Sequence, residues 1–277
     1  MSIRRKPLEL YIFGIWFLSI MADPIHVLSK LPIEIFQPVG ILHYLPSGAR
    51  HFLAAEAFLW TLKILTLAAL FLAVRGKRLW PAGAAASVLL TVYQGIVRGF
   101  GYINHDHLPL LFGVYLLTLF SFADERTRRR DPEGFQALEP DLDRLAWLSI
   151  PALMLICYSF LGAYRLVFGG TELFMSDALK QWIFRNVHRV AYFFWWDPTL
   201  LLAKQPWIYV WLKAGFPVAT IVELLSPLCL FYGPARWVFL GVMLPFFFLN
   251  MIFMNIPFWQ NFLVCLLVFM VPRVRSS

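Results

Sequence analysis

The chain has 277 residues, of which 60% are hydrophobic, 17% aromatic and only 14% charged. Soluble domains run at about 45–50% apolar and about 25% charged, so this composition excludes a soluble globular enzyme, a disordered chain and a secreted disulfide scaffold. The formal charge of +8, from 24 Lys and Arg against 16 Asp and Glu, reads as an orientation signal in a membrane protein and not as nucleic-acid binding.

Apolar runs recur along the chain, continuous and not alternating in ten-residue units. They predict an all-α polytopic transmembrane helical bundle and not a barrel. About eight spans are expected in one domain over 1–277: 8–22, 51–74, 82–100, 109–123, 145–168, 207–231, 236–254 and 257–271. The first run follows Arg4, Arg5 and Lys6, as a secretory signal would. It lacks a small-residue cleavage site and more spans follow, so an uncleaved first helix is expected. The first and last spans are short for a crossing of about 30 Å.

Three connections are long. Residues 23–50 carry Pro24, Pro32, Pro38 and Pro46 with apolar filling, which suggests a re-entrant or surface-lying outer segment. Residues 124–143 are polar and include the basic run Arg126–Arg130; they read as an aqueous loop. Residues 169–206 are rich in aromatics, with an amphipathic helix expected over 177–192 at the outer interface. With the N-terminus placed inside, fourteen of the 24 basic residues fall on the inner side and six on the outer. That bias predicts both termini in the cytoplasm, and the compact loops without eukaryotic targeting signals suggest a bacterial inner membrane.

Residues able to do chemistry gather in a few places. Asn104, His105, Asp106 and His107 share the short outer turn between the third and fourth spans. An imidazole exchanges protons near neutral pH and a carboxylate can orient it. Two histidines alone do not make a metal site, and a polar turn among lipid headgroups is the competing reading. All six histidines fall on the predicted outer side. The cysteines Cys157, Cys229 and Cys265 lie in apolar runs without a C-x-x-C pair, which argues against thiol–disulfide chemistry.

Glu56, Lys63, Arg98, Arg165, Lys213 and Glu223 fall within spans. Charges at that depth cost at least about 2.5–3.5 kcal/mol and usually face the bundle interior and pair; for Arg98 and Arg165, near the outer ends of their spans, snorkelling to the interface is the alternative. Glu223 is the deepest, and Ser226-Pro227 after it should break the helix. Its expected partner is a cationic group in the core. Near the outer end of the fifth span, Tyr158, Tyr164 and Arg165 precede Gly169-Gly170. A guanidinium stays charged, so Arg165 can hold an anion but cannot act as a base. Gln181-Trp182 and Arg185-Asn186 are placed to line the same mouth.

These residues carry a resemblance. The proline-rich segment ending Gly40-Ile-Leu-His-Tyr-Leu-Pro46 is followed by Tyr102-Ile-Asn104-His105-Asp-His-Leu108. Then come Tyr158-Ser-Phe-Leu-Gly162-Ala-Tyr-Arg165-Leu166 and Glu223-Leu-Leu-Ser-Pro227 with Arg236 beyond. In order and spacing this resembles the HTTM domain, the transmembrane module of vitamin K-dependent gamma-carboxylase and its bacterial relatives, which is thought to be related to DoxX-like proteins. The resemblance covers almost the whole chain. It implies an outward-facing pocket for a quinone, quinol or lipid-like molecule. His105 would be the acid/base, Asn104 an orienting amide and Arg165 an anion holder, with Asp106, His107, Tyr164, Glu223 and Trp182 around them. Arg165 stands where the family has a lysine base, and Asn250 lies on a span where the family carries a histidine. Glutamate carboxylation is therefore disfavoured. A membrane enzyme or redox-associated protein is expected, the rival being a non-catalytic accessory subunit of a larger membrane complex. Membrane lipid is the expected environment in either case.

Overall fold

The computed structural model describes residues 4–75, 79–100, 108–169, 175–177, 179–181, 183, 201–202, 204–254 and 259–270. The described residues are all-α and contain no strand. Among them seven helices are long and apolar enough to cross a membrane: Lys6–Lys30, Glu56–Arg75, Trp80–Gly99, Leu108–Arg130, Pro132–Gly169, Pro206–Leu224 and Gly233–Phe253. The expected last span is a shorter apolar helix, Trp259–Val268. The chain divides into two compact units, Met1–Ile150 and Pro151–Ser277.

In the first unit α1 (Lys6–Ala22) stops at Asp23, which is extended at ψ 120°. The cause is Pro24, because the residue before a proline is pushed out of the helical region. Short 3-10 turns follow at Ile25–Lys30, Ile33–Ile35 and Gly40–Tyr44, spaced by the prolines. This segment folds back over the end of α4 (Leu79–Gly99). Phe36 is buried and stacks on Phe100 at 4.6 Å, and the Gln37 amide donates to the Gly99 carbonyl at 2.8 Å. Gly99 makes room for it, since a Cβ there would lie 2.5 Å from the Phe36 ring.

Two expectations need correction here. The span predicted over 51–74 is broken at Ala55, which is extended at ψ 135° between α2 (Ser47–Ala54) and α3 (Glu56–Arg75). Glu56 therefore opens α3 as an exposed first-turn acid, where it complements the helix dipole. The polar stretch 124–143 is not a loop. α5 (Leu108–Arg130) continues through it, and after one non-helical residue α6 (Pro132–Tyr164) begins. Asp131 caps α6 by accepting the Gly134 amide at 2.9 Å, with Pro132 in the first helical position. Arg129 pairs with Glu125 one turn back. Good helix formers, a cap and an i,i+4 pair carry the helices beyond their apolar parts.

At the N-terminal end of α1 a buried ionic cluster ties three helices. Arg5 Nε binds Glu9 Oε1 at 2.8 Å and lies 3.8 Å from Asp143, while its Nη2 binds Asp124. Burial opposes the Arg5 charge, but Asp124 and Glu9 outweigh it and raise the guanidinium above its ordinary pKa. The Trp147 indole adds a bond to the Arg4 carbonyl at 3.0 Å.

In the second unit α6 ends in a wider π turn, Arg165–Gly169. α7 (Pro206–Leu224) then gives way to a 3-10 turn at Ser226–Leu230, as the Ser226-Pro227 pair predicts. α8 (Gly233–Met254) and α9 (Trp259–Met270) complete it. Arg236 holds this corner together, its Nε donating to the Cys229 carbonyl at 2.7 Å. Many large apolar side chains face outward, among them Trp211, Phe231 and Trp237. Such a surface is stable against lipid tails and not against water.

Candidate functional site

The C-terminal end of α6 meets α7 through small residues. A Cβ on Gly162 would lie 2.6 Å from the Leu224 amide nitrogen and 2.8 Å from the Thr220 carbonyl. Only glycine lets the two backbones come this close, the usual device for packing helices in lipid. Two hydroxyls stitch the same seam. Ser159 Oγ donates to the Leu224 carbonyl at 2.8 Å, and Ser226 Oγ donates to the Leu155 carbonyl at 2.7 Å. Much of the motif quoted from the sequence thus has a structural task.

One turn beyond Gly162, Arg165 opens the π turn. π turns are frequent where a helix presents a functional side chain. Arg165 Nη1 forms an ion pair with Glu223 Oε2. Glu223 is almost fully buried and Arg165 is partly exposed, at 1% and 26% of their side chains. The core carboxylate thus has the cationic partner expected of it, and the anion that Arg165 holds in this structure is Glu223. The guanidinium also lies over two aromatic rings, 5.5 Å from the centroid of Phe216 and 5.8 Å from that of Phe246. Cation–π contacts of this kind are worth about 0.5–2 kcal/mol.

The same two rings line a cavity of about 510 Å³ between α7 and α8. Its walls include Trp211, Gly215, Val242, Pro245, Leu249 and Phe253, with Leu179 and Ile183 closing one side. Asn250 is the polar residue in this wall. Its Nδ2 donates to the Phe246 carbonyl at 2.8 Å, which leaves the amide oxygen to accept. Two glycines shape the space, for a Cβ on Gly215 or Gly241 would meet nothing within 4 Å. Two prolines inside the helices, Pro217 and Pro245, interrupt the backbone ladder beside it. An apolar cleft of this volume with few polar groups has the character of a small-molecule or lipid-chain site.

Other expected site residues fall elsewhere. Tyr164 is 62% exposed and packs at a tilt against Phe168, with ring centroids 4.5 Å apart, so it is not part of the buried ion pair. Its neighbour in sequence takes the inward direction because successive helical residues point about 100° apart. Asn104, His105, Asp106, His107 and Trp182 lie outside the described residues, as does His188. Lys213 donates to the Met175 carbonyl at 3.0 Å, with Asp177 at 3.7 Å. Lys63 does find its partners on another segment, the carbonyls of Met21 and Asp23. No group of three or more metal-ligating side chains occurs among the described residues.

Comparison with protein-family models, curated proteins and solved structures returns no match for this chain.

A pocket was expected from the resemblance, but the α7 and α8 residues that line this cavity were not singled out in the sequence. Its signal was two glycines, Gly215 and Gly241, inside helices that otherwise carry bulky side chains. The cluster at Arg5 was also missed, although Glu9 sits within an apolar run, where an unpaired carboxylate would be costly.

Proposed function

We propose that the chain is a multi-pass membrane protein that holds a quinone-like or lipid-like molecule in the cavity between α7 and α8. The observation that carries this reading is the apolar cavity whose Phe216 and Phe246 walls also support the charged Arg165. An elongated apolar molecule gains about 25 cal/mol per Å² of surface removed from water. Its polar end would find the Asn250 amide in the wall, while Arg165 offers N–H groups beyond the one bound to Glu223. An anionic headgroup competes with Glu223 for this guanidinium. A neutral carbonyl headgroup does not need to.

The HTTM resemblance supports the same class of ligand. It assigns acid/base work to His105, with Asn104 orienting the substrate and Asp106 and His107 beside them. An arginine at position 165 makes this an enzyme or redox-associated protein unlike the carboxylase, since a guanidinium does not act as the base. The basic-residue bias supports a topology with both termini inside and the His105 turn on the outer side.

The test is mass spectrometry of small molecules extracted from the gently purified protein, beside Gly241→Leu and His105→Ala. Gly241→Leu fills the cavity from a position with open space. A defined quinone or lipid enriched in the parent and several-fold depleted in Gly241→Leu is the expected result. Loss in His105→Ala as well would tie the outer turn to the same molecule. Identical bulk lipid in all three refutes the reading. A stoichiometric protein partner in that case would establish the rival, an accessory subunit.

A further inference from the structure

At the end of the first unit where α1 begins, the charges are sorted. Lys6 opens α1, Arg75 closes α3 and Arg126 follows the apolar part of α5. Contacts bring these three ends together. Lys6 Nζ donates to the Val74 carbonyl at 3.3 Å, and Arg5 reaches Asp124 on α5. The acids beside them, Glu9, Asp124 and Asp143, all turn to Arg5. One guanidinium takes three carboxylates, and the surrounding cations are left without any. Arg4, Lys6, Arg75, Arg126 and Arg130 are exposed and form no ion pair among the described residues. Glu125 is taken by Arg129, and Glu133, Glu139 and Asp141, exposed on the first turns of α6, pair with none of the five.

One arrangement repeats on all three helices. Lys6 lies four residues from Leu10, Arg75 four from Phe71 and Arg126 four from Phe122. Residues four apart share a helical face, and Leu10, Phe71 and Phe122 are 53%, 47% and 43% exposed. Each cation thus stands one turn beyond an apolar side chain that faces outward. Arg75 also lies over its own Phe71, with Cζ 5.0 Å from the ring centroid. One helical turn is about 5.4 Å, the step from acyl chain to headgroup in a bilayer. Helix dipoles favour cations at the C-terminal ends of α3 and α5 but oppose them at the start of α1, so they do not account for Arg4 and Lys6. An orientation signal needs cations on one side, and it does not need every nearby carboxylate turned away from them.

We propose that this rim is a binding surface for anionic phospholipid. Lys6 and Arg75, brought together where α1 meets α3, hold the headgroup phosphate. Arg126 and Arg130 add to the positive field, and acyl chains lie along Leu10, Phe71 and Phe122. The bilayer supplies the counter-charge that Arg5 draws away from the rim. A zwitterionic headgroup carries its own cation beside the phosphate and is the weaker occupant. A soluble phosphate has no chain and gains nothing from the apolar residues below.

Native mass spectrometry of the full chain, released from nanodiscs of mixed phosphatidylglycerol and phosphatidylcholine, tests this. The parent should retain phosphatidylglycerol in preference. That preference should fall as salt is raised before release, because salt screens exposed charges. Lys6→Gln, Arg75→Gln and Arg126→Gln should each lower it, by up to about five-fold per charge removed. Arg129→Gln is the contrasting case: its charge is already matched by Glu125, so its effect should be the smallest of the four. All four side chains are exposed, and the salt comparison on the parent needs no variant. Equal retention of the two lipids, a preference indifferent to salt, or a triple Lys6→Gln/Arg75→Gln/Arg126→Gln chain that keeps it would overturn the proposal. So would loss of the bound lipid to inorganic phosphate at unchanged ionic strength, since the acyl chains would then contribute nothing.

Discussion

Substituting Gly162 by alanine tests the α6–α7 seam directly. The new Cβ would lie 2.6 Å from the Leu224 nitrogen, where ordinary contact begins at 3.4 Å. The obstructing atoms are backbone, so no side chain can swing away, and the helices must part by about 0.8 Å in a closely packed interior. The Ser159–Leu224 bond, now 2.8 Å, would lengthen to about 3.6 Å, beyond a useful hydrogen bond. Overpacking of this kind costs about 1–3 kcal/mol. Alanine's better helix propensity returns up to about 1 kcal/mol, and two weakened interhelical bonds at about 0.6 kcal/mol each offset that gain. A net loss near 1–3 kcal/mol lowers Tm by roughly 2–5 °C for a chain of this size. The assay is thermal unfolding in detergent, followed by circular dichroism. Gly14→Ala is the contrasting case, because a Cβ there meets nothing within 4 Å. It should leave Tm unchanged or slightly raised. A Gly162→Ala protein that melts with or above the parent would refute the close-approach argument.

Two further expectations concern the ion pair and the topology. Arg165→Met and Glu223→Leu should each cost about 3–5 kcal/mol by stranding a charge, while the double variant loses much less than their sum. Thermal unfolding of the four proteins reads that coupling, and simple additivity would mean the pair is not formed. A cysteine replacing Asp131, at the junction of α5 and α6, should react with a membrane-impermeant maleimide only in inside-out vesicles. Labelling of intact cells would reverse the predicted orientation.

The spans were legible because continuous apolar runs have one physical meaning at this length. The long helices through 124–143 were not, because charge and polarity signal water exposure and not the absence of a helix. The Asp131 cap and Pro132 were the available clues. The break at Ala55 carries no glycine or proline, so nothing local announced it, and Glu56 was placed too deep. Arg165 and Glu223 were each singled out as charges in need of partners. Their mutual pairing depends on the Gly162 contact, a relation between two helices that no single-helix pattern contains. Arg5 and Asp124 are 119 residues apart, and periodicity cannot join such positions. The cavity is harder still to read, since it is defined by side-chain volume that is missing.

The prolines beside the cavity alter what its walls can accept. In an unbroken helix the amide of residue 245 would donate to the carbonyl of Gly241, but Pro245 has no amide hydrogen. Both residues line the cavity. The usual donor to that carbonyl is therefore absent from the helix itself. An occupant bearing a hydroxyl can supply the missing hydrogen, whereas one carrying only ether or ester oxygens cannot. If the occupant is the one proposed above, selection for a hydroxyl-bearing headgroup would rest on the main chain, where exchanging one side chain for another would leave it intact.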